Sequence, residues 1–256
     1  MNKILNKLRL IGFKLNLLRK RPINEPFKFI SDFEYSYPWG RCLFKNEQQY
    51  YSDNNVLKTY DDINNIYKNL YKFTIKKEHI IDNGWWNMNR IEFDYSSGML
   101  FSDEKFLYGS FEAEIFIPSG YGLWSAFWLF GSSKNTNNED NWFSEIDIFE
   151  YYGKKNKFTY NTHAGVDYEH NIYGKNNGIR LKRLENSWHK YRLNWTFRNL
   201  EYYIDDKLVG VRSAKKINIP MSLIINMAIE KNIDNKLDKY LPIKMLIKNI
   251  KYYENC

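Results

Sequence analysis

Trp142-Phe143-Ser144-Glu145-Ile146-Asp147-Ile148-Phe149-Glu150 places three carboxylates within six residues of otherwise strand-forming sequence. Acidic side chains are depleted from strands, where β-branched and aromatic residues pack better, so their presence needs a reason. In a regular strand Glu145 and Asp147 point to one face and Glu150 to the other. A β-bulge between them adds one residue to the count and returns Glu150 to the face of the first two. The end Cα atoms then lie about 13 Å apart, and two Glu side chains leaning together bring their carboxyl groups to about 5 Å. Solvated carboxylates on an outer strand face satisfy the same spacing, and about 0.4 such triples are expected by chance at this composition. The apolar, aromatic setting is what lifts this triple above that background.

The 256 residues suffice for one substantial domain, and all-β sandwiches of this size are commonly undivided. Aromatic residues make up 18% of the chain, which does not separate β-structure from a ring-stacking surface. The net charge of +8 is local: Lys3, Lys7, Arg9, Lys14, Arg19, Lys20 and Arg21 all precede the first acid, Glu25. The remainder carries about +1, which argues against a nucleic-acid partner. No apolar run is long enough to span a bilayer. Cys42 and Cys256 form no metal-ligand cluster, the four His are scattered, and pairing of the two cysteines is not fixed by sequence.

Two regions follow: a basic amphipathic N-terminal segment, 1–24, and a β-sandwich domain, 25–256. The first is expected to be a short helix with Ile4, Leu8, Ile11, Leu15 and Leu18 on one stripe. Lys14 and Asn16 interrupt its apolar run and no small-residue cleavage site follows, so it lacks the marks of a secretory signal. Peripheral contact of residues 1–22 with an anionic membrane is one reading; a helix docked on the domain, or a frayed extension, is the other. Beyond Pro22 and Pro26 short alternating segments take over, with a short helix expected around Asp61–Leu70. Phe111, Ala113, Ile115 and Ile117 alternate as a half-buried strand, and Pro118-Ser119-Gly120 turns the chain. In Gly122-Leu123-Trp124-Ser125-Ala126-Phe127-Trp128-Leu129-Phe130 one face carries Trp124, Ala126, Trp128 and Phe130, the other Phe127 and Leu129. One face of such a strand packs in the core and the other is covered or lines a cleft. Tyr191, Leu193 and Trp195 alternate, and Leu200–Val209 reads as a hairpin turning at Asp205-Asp206-Lys207. Many short strands give an all-β, two-sheet antiparallel jelly-roll sandwich.

Glu-Ile-Asp-Ile-Phe-Glu resembles the bulged E-x-D-x-x-E signature of the family 16 glycoside hydrolases, the laminarinase-like group. Asn46-Glu47-Gln48-Gln49-Tyr50-Tyr51 is similar to the family's N-E-x-Q-Y-Y segment, although an ordinary edge strand has the same composition. Gly122–Trp128 resembles G-L-W-P-A-F-W, with Ser125 in place of the proline, and Leu223–Ile229 resembles the strand containing N-L-A. Two departures, Glu230-Lys231-Asn232 and Lys248, bear on the outer subsites and so on the substrate. The resemblance covers nearly all of residues 40–254.

It implies a retaining, endo-acting hydrolase of β-glycosidic bonds, with Glu145 as nucleophile, Glu150 as acid/base and Asp147 steering the proton between them. It places Asn46, Trp124, Trp128, Trp142, His163 and Asn226 on the substrate. A lone His is more often structural, and any single Trp is as readily core as cleft. The implied partner is a polysaccharide, a β-1,3- or β-1,3-1,4-glucan first, with galactans and surface polysaccharides open. If an acceptor sugar wins over water, the same site is a transglycosylase. A glycan-binding module on the same sandwich is the rival reading; relatives that only bind have lost one or both glutamates, and this chain keeps all three acids. No metal or cofactor is required, and the sequence does not show a structural calcium ion. A polysaccharide substrate points outside the cytoplasm or close to a membrane, without a recognisable signal to take the chain there.

Overall fold

A computed structural model describes residues 28–29, 47–59, 70–83, 90–134, 141–166, 171–173 and 184–254. The N-terminal segment, Asn46, the expected helix before Leu70, Cys42 and Cys256 lie outside them. Among the described residues the strands are β1 (Lys28–Phe29), β2 (Tyr50–Tyr51), β3 (Val56–Thr59), β4 (Leu70–Asp82) and β5 (Ile91–Ser97). Next come β6 (Met99–Phe106), β7 (Gly109–Phe116), β8 (Leu123–Lys134), β9 (Asn141–Tyr152), β10 (Lys157–Gly165) and β11 (Asn171–Tyr173). The last five are β12 (Trp188–Trp195), β13 (Asn199–Ile204), β14 (Lys207–Ser213), β15 (Met221–Ile229) and β16 (Ile243–Tyr253).

They form two sheets. The ten-stranded framework sheet runs β14-β13-β12-β7-β16-β4-β5-β2, with β1 on β16 and β3 on β4. The six-stranded sheet runs β11-β10-β9-β8-β15-β6. Among the described pairings only β2 with β5 is parallel. Alternation builds the core between the sheets: Phe111, Ala113 and Ile115 from β7 meet Phe127 and Leu129 from β8 and Leu223 and Ile225 from β15, all fully buried. The β13–β14 hairpin turns at Asp205 and Asp206, whose φ values of 48° and 62° are what a two-residue turn of this hand requires.

The six-stranded sheet turns its other face outward, and Trp124, Ala126, Trp128 and Phe130 lie on it. A second, smaller apolar cluster forms there: Phe101, Ala126, Trp128 and Ile224, with Met99 and Phe130 packed against it. β8 is therefore apolar on both faces because one serves the core and the other this outward floor.

Lys248 is not part of that floor. It sits on β16 opposite Glu114, on the outer face of the framework sheet, with its ammonium 3.5 Å from the Glu114 carboxylate and 4.5 Å from the centre of the Trp188 ring. The expectation that Lys248 bears on the substrate is corrected accordingly, since Ile247, its neighbour, takes the core side. Glu230 is likewise tied into the frame: its backbone N–H donates to the Gly122 carbonyl and its carboxylate accepts from the Lys154 N–H at 3.1 Å.

Candidate active site

Three rows of side chains cross the outward face. Asn226, Ala126, Glu150 and Thr159 are paired across β15, β8, β9 and β10. The next row is Ile224, Trp128, Asp147 and Asn161, and the third is Ser222, Phe130, Glu145 and His163. Between the first and second rows β9 advances by three residues while β10 advances by two, so β9 carries a bulge at Ile148 and Phe149. Both of those side chains reach the main core. Their shared direction returns Glu150 to the face of Glu145 and Asp147, as a bulge does. All three acids are buried, at 9%, 4% and 7% exposure, so their charges interact with little screening.

Glu150 accepts three hydrogen bonds. The Tyr152 hydroxyl (2.5 Å) and the Trp124 indole N–H (3.1 Å) converge on Oε1, and the Thr159 hydroxyl donates to Oε2 at 3.2 Å. Trp124 and Tyr152 stack on each other, ring centres 5.1 Å apart. Burial raises the Glu150 pKa in spite of these donors, because a charged carboxylate out of water is costly. Asp147 is raised well above the usual carboxylate range, first by burial and then by the charges of Glu150 and Glu145. It hydrogen-bonds to Glu145.

His163 completes the third row. Its Nε2 lies 4.0 Å from a Glu145 oxygen and 3.6 Å from Asp147 Oδ2, and Glu145, Asp147 and His163 offer atoms all within 4.8 Å of one another. The Asn161 side-chain amide lies 2.8 Å from Nε2. Burial, and then the Arg212 charge, lower the His163 pKa, so the ring stays neutral beside the acids.

A buried polar bracket continues from the floor. Trp128 donates its indole N–H to Asn226 Oδ1 (2.8 Å), and Asn226 Nδ2 donates to the Tyr51 hydroxyl (2.9 Å). Tyr51 and Gln49 both donate to Glu47 Oε2, at 3.0 and 2.8 Å, and Gln49 Oε1 accepts from the Ile229 N–H at 2.6 Å. Burial pushes the Glu47 carboxyl up to about 7. The Glu47–Tyr51 segment thus reads as support for the cleft more than as an exposed edge.

Of the residues expected at the site, Glu145, Asp147, Glu150, Trp124, Trp128, His163 and Asn226 share the outward face. Trp142 does not: it lies an odd number of residues before Glu145, and it packs against the main core. The expectation that it stacks on substrate is corrected on that ground. Sequence reasoning missed Tyr152, Thr159 and Asn161. Tyr152 was legible, since a residue two beyond Glu150 shares its face.

The chain is similar to proteins of one enzyme family. The clotting factor G alpha subunit of Tachypleus tridentatus is 31% identical over 176 residues, 64% of this chain and 26% of that protein. A beta-glucanase of Rhodothermus marinus is 30% identical over 124 residues, 45% of this chain and 42% of that one. The chain thus spans less than half the length of these relatives. The solved laminarinase of Flavobacterium sp. UMI-01 superposes with a TM-score of 0.64 at 26% identity, covering 91% of this chain and 96% of that one. A sequence profile of the glycosyl hydrolases family 16 matches residues 44–233, most of the chain. With the bulged acid strand on the outward face of a two-sheet sandwich, the chain belongs to glycosyl hydrolases family 16.

Proposed function

We propose that the protein is a retaining, endo-acting glycoside hydrolase that cleaves β-glycosidic bonds within a polysaccharide, a β-1,3- or β-1,3-1,4-glucan. The observation that carries this reading is the β9 bulge, which gathers Glu145, Asp147 and Glu150 on one face. Glu145, ionised, attacks the anomeric carbon while Glu150, protonated, donates to the departing glycosidic oxygen. Asp147 hydrogen-bonds to Glu145 and keeps a second negative charge away from it. A neutral His163 adds no cation that would blunt the nucleophile. Glu150, now a carboxylate, then takes a proton from a water whose oxygen bonds to the anomeric carbon as the Glu145 C–O bond breaks. The two glutamates need proton affinities pushed apart, and burial of Glu150 supplies a push in the right direction.

The composition of the floor suits a polysaccharide. Among the described residues, the three rows hold acids, aromatic and aliphatic groups, amides and hydroxyls, and Met99, Phe101 and Lys105 continue them on β6. Its aromatic groups suit the apolar faces of pyranose rings. The relatives named beta-glucanase and laminarinase agree with the choice of a β-glucan. The test is reducing-sugar release from laminarin, mixed-linkage β-glucan, agarose, carrageenan and β-1,3-galactan, with Glu145→Gln in parallel. Release from a β-glucan that vanishes in the variant is expected. Silence on every polymer with binding retained would make the domain a glycan-binding module.

A further inference from the structure

Tyr152 closes β9 immediately before the Gly153 turn, where a Cβ would come within 1.8 Å of the Gly120 carbonyl oxygen, and the Gly153 N–H donates to the Leu123 carbonyl at 2.7 Å. The strand end is thereby held against β8, and Tyr152 is paired across the strands with Trp124. The two rings stack and send both their donors to the same oxygen, Oε1 of Glu150. Among the described residues Oε2 has only the longer contact with the Thr159 hydroxyl, a group that accepts as well as donates.

We propose that Tyr152 is the positioning residue of the acid/base: with Trp124 it occupies Oε1, makes Oε2 the oxygen that carries the proton, and sets how readily Glu150 releases it. This rests on the reading of Glu150 as the acid/base. In the first step the proton passes from Oε2 to the leaving oxygen as the glycosidic C–O bond breaks and the Glu145 C–O bond forms. The carboxylate left behind is the species that two donors on Oε1 stabilise. Burial, and then the Glu150 charge, keep the Tyr152 phenol well above its ordinary range, so it remains an O–H donor throughout the working range. A residue that only filled space beside Trp124 would leave the proton affinity of Glu150 alone, and Phe at this position keeps the ring while removing the donor.

The experiment is the pH dependence of kcat/KM on the β-glucan that the wild type cleaves, for wild type, Tyr152→Phe and Glu150→Gln. Loss of one donor to a buried carboxylate raises its pKa, so the alkaline limb of Tyr152→Phe is expected about one pH unit higher. An unmoved limb, whatever the change in rate, would overturn the proposal and leave Tyr152 a packing residue. Glu150→Gln separates the two readings: wild-type activity in that variant means that the acid/base assignment fails, whereas its loss beside an unmoved Tyr152→Phe limb means that only the present inference fails. Should Tyr152→Phe be too slow to profile, carbon-13 NMR of labelled glutamates, assigned against Glu150→Gln, reads the same titration directly. An upward shift supports the proposal and an unchanged titration overturns it.

Discussion

Replacing Glu47 by Gln should stabilise the protein at neutral pH and leave it almost unchanged in acid. Glu47 is 4% exposed and its carboxyl is raised from 4.5 to about 7 by burial, outweighing the hydrogen bonds from Gln49 and Tyr51. A carboxyl whose pKa rises on folding contributes stability that is complete below the unfolded value and is lost as pH rises through the folded one. The window is therefore about pH 4.5 to 7, and the rise of about 2.5 pH units corresponds to about 3 kcal/mol at 1.36 kcal/mol per unit. Gln titrates nowhere in this window, and its amide oxygen at the Oε2 position keeps both hydrogen bonds. Urea unfolding of wild type and Glu47→Gln at pH 4 and pH 8 isolates the term, because the remaining titrations are common to both proteins. The difference in unfolding free energy should move in favour of the variant by about 3 kcal/mol between the two conditions. A difference independent of pH would refute the reasoning and show that Glu47 is solvated or unprotonated in both states.

Asp147→Asn follows the same sign: burial and the neighbouring glutamates raise Asp147, so thermal melts should show the variant more stable at pH 8 and level with wild type near pH 3. A variant less stable at pH 8 would contradict this, and its loss of polymer cleavage should come with an intact fold. Phe127→Ala empties a fully buried position between the sheets and should cost about 3–5 kcal/mol in denaturant unfolding; a cost below about 1 kcal/mol would mean that the core collapses around the gap. Gly153→Ala drives a methyl group to 1.8 Å from the Gly120 carbonyl oxygen, so a loss of about 2 kcal/mol or more is expected, and an unchanged melting temperature would show that the turn relaxes freely.

The bulge was legible in the sequence as the condition on which three acids at that spacing share one face. The two faces of β8 were legible from period two alone, since Phe127 and Leu129 alternate with Trp124, Ala126 and Trp128. The same parity puts Trp142 on the core side, where nearness to the acids in sequence order counts for nothing. Lys248 shows the opposite difficulty: a departure from a family pattern carries no address, and only the register of β16 against β7 sends it to the far face. The bracket that holds Trp128 was beyond sequence reasoning. Its Asn226–Tyr51 contact joins residues 175 positions apart, and no local pattern announces which polar side chains a tertiary register will bring together. Asn46 and residues 1–24 lie outside the described residues, and the membrane reading of the N-terminal segment stands as an expectation for a liposome-binding comparison with residues 1–22 deleted.

The most direct test of the central claim is proton NMR of the first products formed from a β-glucan, recorded before mutarotation scrambles them. If Glu145 attacks and Glu150 assists from the same face of β9, the new reducing ends appear first as the β-anomer. The α-anomer appearing first would mean direct attack by water between more widely spaced carboxylates, and would contradict the account.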